Sequence, residues 1–166
     1  SMDTATKQKL QQFYISCREL ISSSIVPDIC VQRSFDEVIC GHRGEDSWRP
    51  SHITHAAALR LREGNTQGIQ RAHGIMEGRM DRNERTLMLL CGPELEFDSW
   101  WKIWTENDAT VLVTREEHIV NEKFTADDVI AIPADLNLFG TGGFSFKFRK
   151  KSELSWLKTL DLGTKS

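Results

Sequence analysis

The sequence predicts an α+β fold, and three features carry that prediction. Apolar residues recur at helical spacing through much of the first two-thirds of the chain. After Asn107-Asp108 the character changes to β-branched runs at Thr110–Val113 and Val129–Ile132, followed by the alternating stretch Phe144–Arg149. Leu154, Leu157 and Leu160 then return to helical spacing. The expectation is a helical N-terminal two-thirds packed with a small antiparallel three-stranded sheet and a C-terminal helix. The 166 residues show ordinary hydrophobic and charged content and no linker or repeat, so a single globular domain over residues 2–163 is expected.

The elements follow in order. A first helix is predicted from about Asp3 to Ser22, on the spacing of Leu10, Phe13, Cys17 and Leu20. From Asp28 to Cys40 the apolar residues Val31, Phe35, Val38 and Ile39 suit a helix closed by Gly41, while β-branched Ile29 and Val31 also allow a short strand. His42 to Pro50 reads as a loop, and Ser51 as the N-cap of a helix ending at Gly64. In that helix His52, His55, Leu59 and Arg62 share one face.

Thr66 is expected to cap another helix, with Ile69, Ala72, Met76 and Met80 as its apolar side. Its Gly68, Gly74 and Gly78 imply close backbone packing or a bend. Asp81 and Glu84 form a capping box for a short helix through Leu87 and Leu90. Phe97, Trp100, Trp101 and Trp104 then share one face of a further helix, which reads as core first and as a stacking or partner surface second. Thr114 and Glu117 match a second capping box, opening a short helical piece that holds His118. Gly140 to Gly143 reads as a turn, and Ser152 as the cap of the last helix.

The formal net charge of -3 argues against a general nucleic-acid coat, although a local basic patch is compatible with it. Four scattered cysteines with no C-x-x-C pair give neither a zinc ribbon nor a disulfide framework. No apolar run has the length of a membrane span and no secretory leader is evident, so a cytoplasmic protein is expected.

Residues His42 to Arg85 hold four of the five histidines and eight arginines, and no lysine occurs from Leu10 through Trp101. Arginine presents a planar fork suited to phosphates, carboxylates and buried ion pairs. The bland alternative is pairing across solvated helix faces with the six acids of the same stretch. The functional reading is an anion site for RNA or a nucleotide. His42, Arg43, Arg49 and Arg62 would bind the ligand, and His52 and His55 would supply base and acid if a phosphodiester is cleaved. Turnover does not follow from these residues.

Cys40-x-His42 and His52-x-x-His55 offer zinc ligand types but match no metal-site spacing, and no metal is assigned. There is no nucleophile elbow, P-loop or dinucleotide fingerprint, and no cofactor is expected. Lys147, Arg149, Lys150, Lys151 and Lys158 suit either a phosphate backbone or the protection of an edge strand. The alternative function is a small non-enzymatic interaction protein, of inhibitor, immunity or adaptor type. It would meet a protein partner through the aromatic or the glycine-rich helix face.

Overall fold

A computed structural model describes residues 2–47, 49–120, 123–140 and 151–163. In chain order the elements are α1 (Thr4–Ser23), α2 (Asp28–Arg43), β1 (Pro50–Thr54), α3 (His55–Arg62), β2 (Ile69–His73), α4 (Arg82–Cys91), α5 (Phe97–Glu106), β3 (Thr110–Thr114), α6 (Arg115–Val120), β4 (Val129–Ala131) and α7 (Lys151–Thr159). Single 3-10 turns lie at Gly44–Ser47, Ala126–Asp128 and Ala134–Leu136. The chain divides into two compact units, each made of two separate stretches: Ser1–Gly44 with Met80–Asp108, and Glu45–Arg79 with Ala109–Ser166.

The first unit is helical. Asp3 caps α1 by accepting a hydrogen bond from the Thr6 amide at 2.7 Å, and Asp81 caps α4 through the Glu84 amide at 2.8 Å. Leu10, Tyr14 and Cys17 of α1 meet Val31, Phe35 and Ile39 of α2, Leu89 and Leu90 of α4, and Trp100 and Trp104 of α5. Trp100 and Trp104 are fully buried, while Phe97 and Trp101, on the same face of α5, are half-buried against the same core. Tyr14 stacks on Trp100 with ring centroids 5.0 Å apart.

Beside this apolar core lies a charged one. Arg85 has no exposed surface. Its Nη1 donates to Asp108 Oδ1 at 3.1 Å and to the Trp104 carbonyl at 3.2 Å. Its Nη2 lies 3.8 Å from Asp36, and its guanidinium sits 3.8 Å from the Trp104 ring centroid. Asp36 also accepts from Thr86 Oγ1 at 2.6 Å and Trp104 Nε1 at 3.1 Å. Arg43 completes an ion pair with Asp108. Burial pulls Arg85 down and Asp108 up, each toward its neutral form, and the partner charges pull back.

The second unit holds one four-stranded sheet in the order β2-β3-β1-β4. β1 and β3 are parallel, while β2 pairs antiparallel with β3 and β4 antiparallel with β1. The α+β class is therefore observed, but the sheet is four-stranded and mixed rather than three-stranded and antiparallel. Central β3 is buried at all five positions. One face packs Ile53, Ile69 and Leu112 against Ala57, Ala58 and Leu61 of α3 and Leu157 of α7. The other packs Ala72, Val111, Val113 and Val129 against Ile75, Met76 and Phe124.

Two predicted helices are corrected here. Ser51 does not start a helix: β1 occupies Pro50–Thr54, and Thr54 caps α3 by accepting from the Ala57 amide at 3.1 Å. The segment after Thr66 is β2 followed by turns, so no glycine-rich helix face exists. Gly68, Gly74 and Gly78 have φ of 72°, 62° and 79°, a left-handed backbone that explains them better than helix packing does. Ser152 lies inside α7 rather than before it. The expected strand Phe144–Arg149, and residues 141–143 of the expected glycine turn, lie outside the described residues. Among the described residues, no helix is long and apolar enough to cross a membrane.

Candidate functional site: a cleft at the carboxyl edge of the parallel strands

Parallel β1 and β3 end side by side and run directly into helices: Thr54 into α3, Thr114 into α6. The antiparallel neighbours bring their starts to the same edge, with Thr54 opposite Val129 and Thr114 opposite Ile69. In open α/β sheets ligands favour the crevice beyond the carboxyl ends of parallel strands, where backbone ends are free and loops diverge. A cleft of about 470 Å³ opens at this edge, lined by His55, Ala56, Glu117, Lys123, Phe124, Asp127 and Asp128. That volume falls in the ordinary range for a small-ligand site, roughly 300–1,000 Å³.

The lining is held in place by the ends of the strands. Glu117 Oε1 accepts from Thr54 Oγ1 at 2.7 Å and from the Thr114 amide at 2.9 Å, while Thr114 Oγ1 accepts from the Glu117 amide at 3.2 Å. The predicted Thr114–Glu117 capping box is thus present, and it fixes a carboxylate across the ends of both strands. A second box lies opposite. Asp128 Oδ2 accepts from the Thr125 amide at 2.8 Å and Thr125 Oγ1 at 2.9 Å, and these bonds hold its carboxyl below the usual carboxylate range. Phe124 is pinned by its backbone, donating to the Ile75 carbonyl at 2.7 Å and accepting from the Glu77 amide at 2.8 Å. Lys123 Nζ donates to the Arg79 carbonyl at 2.8 Å.

His55 Nδ1 lies 3.3 Å from the Asp128 carbonyl. A carbonyl oxygen only accepts, so in this contact Nδ1 carries a proton. The cleft therefore presents three carboxylates and an imidazole beside one ammonium that is already bonded.

Of the six predicted site residues, His55 alone lines this cleft. His42 is exposed in the last turn of α2, and Arg43 is committed to Asp108; both belong to the helical unit. In the sheet unit Arg49 pairs with Asp46 at 3.4 Å and Arg62 donates to the Leu160 carbonyl at 3.0 Å. His52 lies within β1, not on a helix with His55, so the shared helical face does not form. Its Nδ1 is 2.7 Å from Ser51 Oγ, and burial, then the charge of Arg79, hold the ring below its ordinary pKa. Cys40, weighed with His42 as a metal ligand, accepts through Sγ from Arg82 Nη2 at 3.0 Å. Among the described residues, no group of three or more His, Cys, Asp or Glu side chains is placed to hold a metal ion.

Glu117, Lys123, Phe124, Asp127 and Asp128 are not among the ligand contacts that the sequence suggests. A signal existed: Thr125-x-x-Asp128 repeats the spacing of Thr114-x-x-Glu117, two capping patterns flanking one short segment. No protein-family model, curated protein or solved structure gives a significant match to the chain.

Proposed function

We propose that this protein is a binding module whose carboxyl-edge cleft takes a positively charged group, a primary amine or a guanidinium. The sign and fixing of the lining charge carry this reading. Glu117 is oriented by two donors before any ligand arrives, and preorganised carboxylates give strong charge-assisted hydrogen bonds to N–H donors. Asp127 and Asp128 add two further carboxylates to the same lining. Calorimetric titration with agmatine, spermidine and N-acetyl-lysine methylamide tests it, alongside inorganic phosphate, a nucleotide and short RNA. The cations should bind, and Asp127→Asn should weaken them about tenfold, equivalent to one charge-assisted contact. Binding of the anions with none of the cations overturns this reading.

A second proposal retains the phosphate or RNA ligand for the Arg/His stretch. It rests on the sequence, in which four histidines and eight arginines fall between His42 and Arg85. The same titration decides it, with His52→Ala as the variant that should lose the anion. Neither proposal requires turnover.

A further inference from the structure

At the opposite edge, where β1 and β3 begin, one face of the sheet turns polar. In the register of β2 and β3, Arg71 stands opposite Leu112 and His73 opposite Thr110, and Thr110 is paired on its other side with Pro50 at the start of β1. Side chains alternate along a strand, so Arg71, His73 and Thr110 share the face of Leu112, while Ala72 and Val111 pack on the other. Ser51 reaches the same edge, its hydroxyl donating to the Thr110 carbonyl at 3.2 Å.

A second guanidinium arrives from Arg49, the residue before β1. Arg71 Nη2 donates to the Phe139 carbonyl at 2.6 Å, and a methyl group built on the next residue, Gly140, would stand 3.9 Å from Arg49 Nε. Both arginines thus approach one peptide. The acids nearby are engaged: Glu153 accepts from the Phe139 amide at 2.9 Å, and Asp46, largely in water, pairs with Arg49 Nη2. Burial draws the Arg71 guanidinium down to about 10, against the pull of Glu153. Thr110 is only 1% exposed, yet its hydroxyl has no hydrogen-bond partner among the described residues, and neither has the buried Nε of Arg49. A buried hydroxyl without a partner is costly and needs a reason. Valine has the same shape, suits a strand and carries no such cost, so a group that bonds the hydroxyl explains the threonine.

We infer that the edge where β1 and β3 begin binds a phosphate group, with Arg49 and Arg71 meeting its charge and Thr110 Oγ1 donating to one of its oxygens. Planar guanidinium forks and hydroxyl donors together match the several oxygens of a phosphate. The site goes beyond both readings above. It lies across the sheet from the carboxyl-edge cleft, and it does not use His52, which pairs with Val111 and so belongs to the other face.

The test uses the full chain and calorimetric titration with inorganic phosphate and phenyl phosphate at constant ionic strength, a pair that separates the free anion from a phosphomonoester. At least one of them should bind. Thr110→Val and Arg49→Gln should each weaken that binding about tenfold, as loss of one hydrogen bond to a charged group does. His52→Ala should bind as the wild type does. Thr110→Val keeps the shape and removes only the hydroxyl, so in phosphate-free buffer it should melt no lower than the wild type, and circular dichroism checks the fold of both variants. Binding of neither anion, or wild-type affinity in either Thr110→Val or Arg49→Gln, overturns the inference. A lower melting temperature of Thr110→Val without phosphate also overturns it, because the hydroxyl then serves the protein itself. Loss of the anion in His52→Ala, with Thr110→Val unaffected, overturns this site in favour of the second reading above.

Discussion

Replacing Arg85 by methionine is the most direct probe of the helical unit. Methionine fills much of the same space without charge, so the variant leaves Asp108 and Asp36 buried with fewer partners. Asp108 keeps Arg43, and Asp36 keeps Thr86 and Trp104. Lost are the donations to Asp108 and the Trp104 carbonyl, the pair with Asp36, and the contact with the Trp104 ring at 3.8 Å. Removing one member of a buried ion pair costs about 3–5 kcal/mol, because the charge left behind is not hydrated and has lost a partner. That is a large part of the roughly 5–15 kcal/mol holding a typical domain folded. Urea unfolding followed by tryptophan emission reports on this unit, where Trp100, Trp101 and Trp104 lie. At a slope near 2 kcal/mol/M the midpoint should fall by about 1.5–2.5 M. The diagnostic is the cycle with Asp108→Asn. Neutralising the stranded carboxylate should return at least about 1 kcal/mol in the double variant, since residues in direct contact couple. A loss below about 1 kcal/mol for Arg85→Met, or strictly additive variants, would refute the argument that this charge cluster is a desolvated, mutually dependent unit.

Two further outcomes are expected. Thr54→Val removes both the α3 cap and the hydroxyl that holds Glu117, so it should cost about 0.5–2 kcal/mol in thermal or urea unfolding and weaken cation binding, whereas Thr54→Ser keeps both functions. His52 is held below its ordinary pKa of 6.5 in the folded state, so the unfolded chain takes up its proton first as the pH falls. Stability should therefore decline as pH drops below about 6.5 and level off once the folded ring also protonates. His52→Gln should flatten that decline between pH 7.5 and 5.5, and an unchanged slope would assign it to other groups.

Much of the helical unit was legible in the sequence. The cap at Asp81 is local chemistry, and the stripes on α1 and α5 each serve one interface, so their period survives. The sheet was harder to read. In β2, Ile69 joins the core on one face and Ala72 the core on the other, so both are buried although three positions apart, which mimics a helix. In β1 the strand is five residues long and passes straight into α3, whose helical pattern runs backwards over it. Its parallel partner β3 lies far along the chain, and no local signal announces a parallel pairing. The same blindness hid the cleft. Glu117 and Asp128 were visible as capping residues or plain acids, but their meeting depends on which strand ends are adjacent. The arginine-only stretch is compatible in sequence with an anion site, with buried ion pairs and with solvated pairing, and at Arg85 it is the buried pair: the residue is fully buried, where the planar fork serves several acceptors at once.

The division into two units, each assembled from two stretches, means the chain passes between them three times, at Gly44, at Arg79 and at Asp108. Within the helical unit these exits are fastened to one another. Arg43 pairs with Asp108, and the Met80 amide donates to Asn107 Oδ1 at 3.4 Å. No single cut releases either unit as one continuous fragment. On the ribosome, neither unit can close early: the helical one waits for Asp108 to emerge, and β1 waits for β3. A protease that nicks one exposed crossing leaves two pieces still interleaved. Such a chain should therefore remain associated after limited cleavage, and halves expressed separately should regain structure only when mixed.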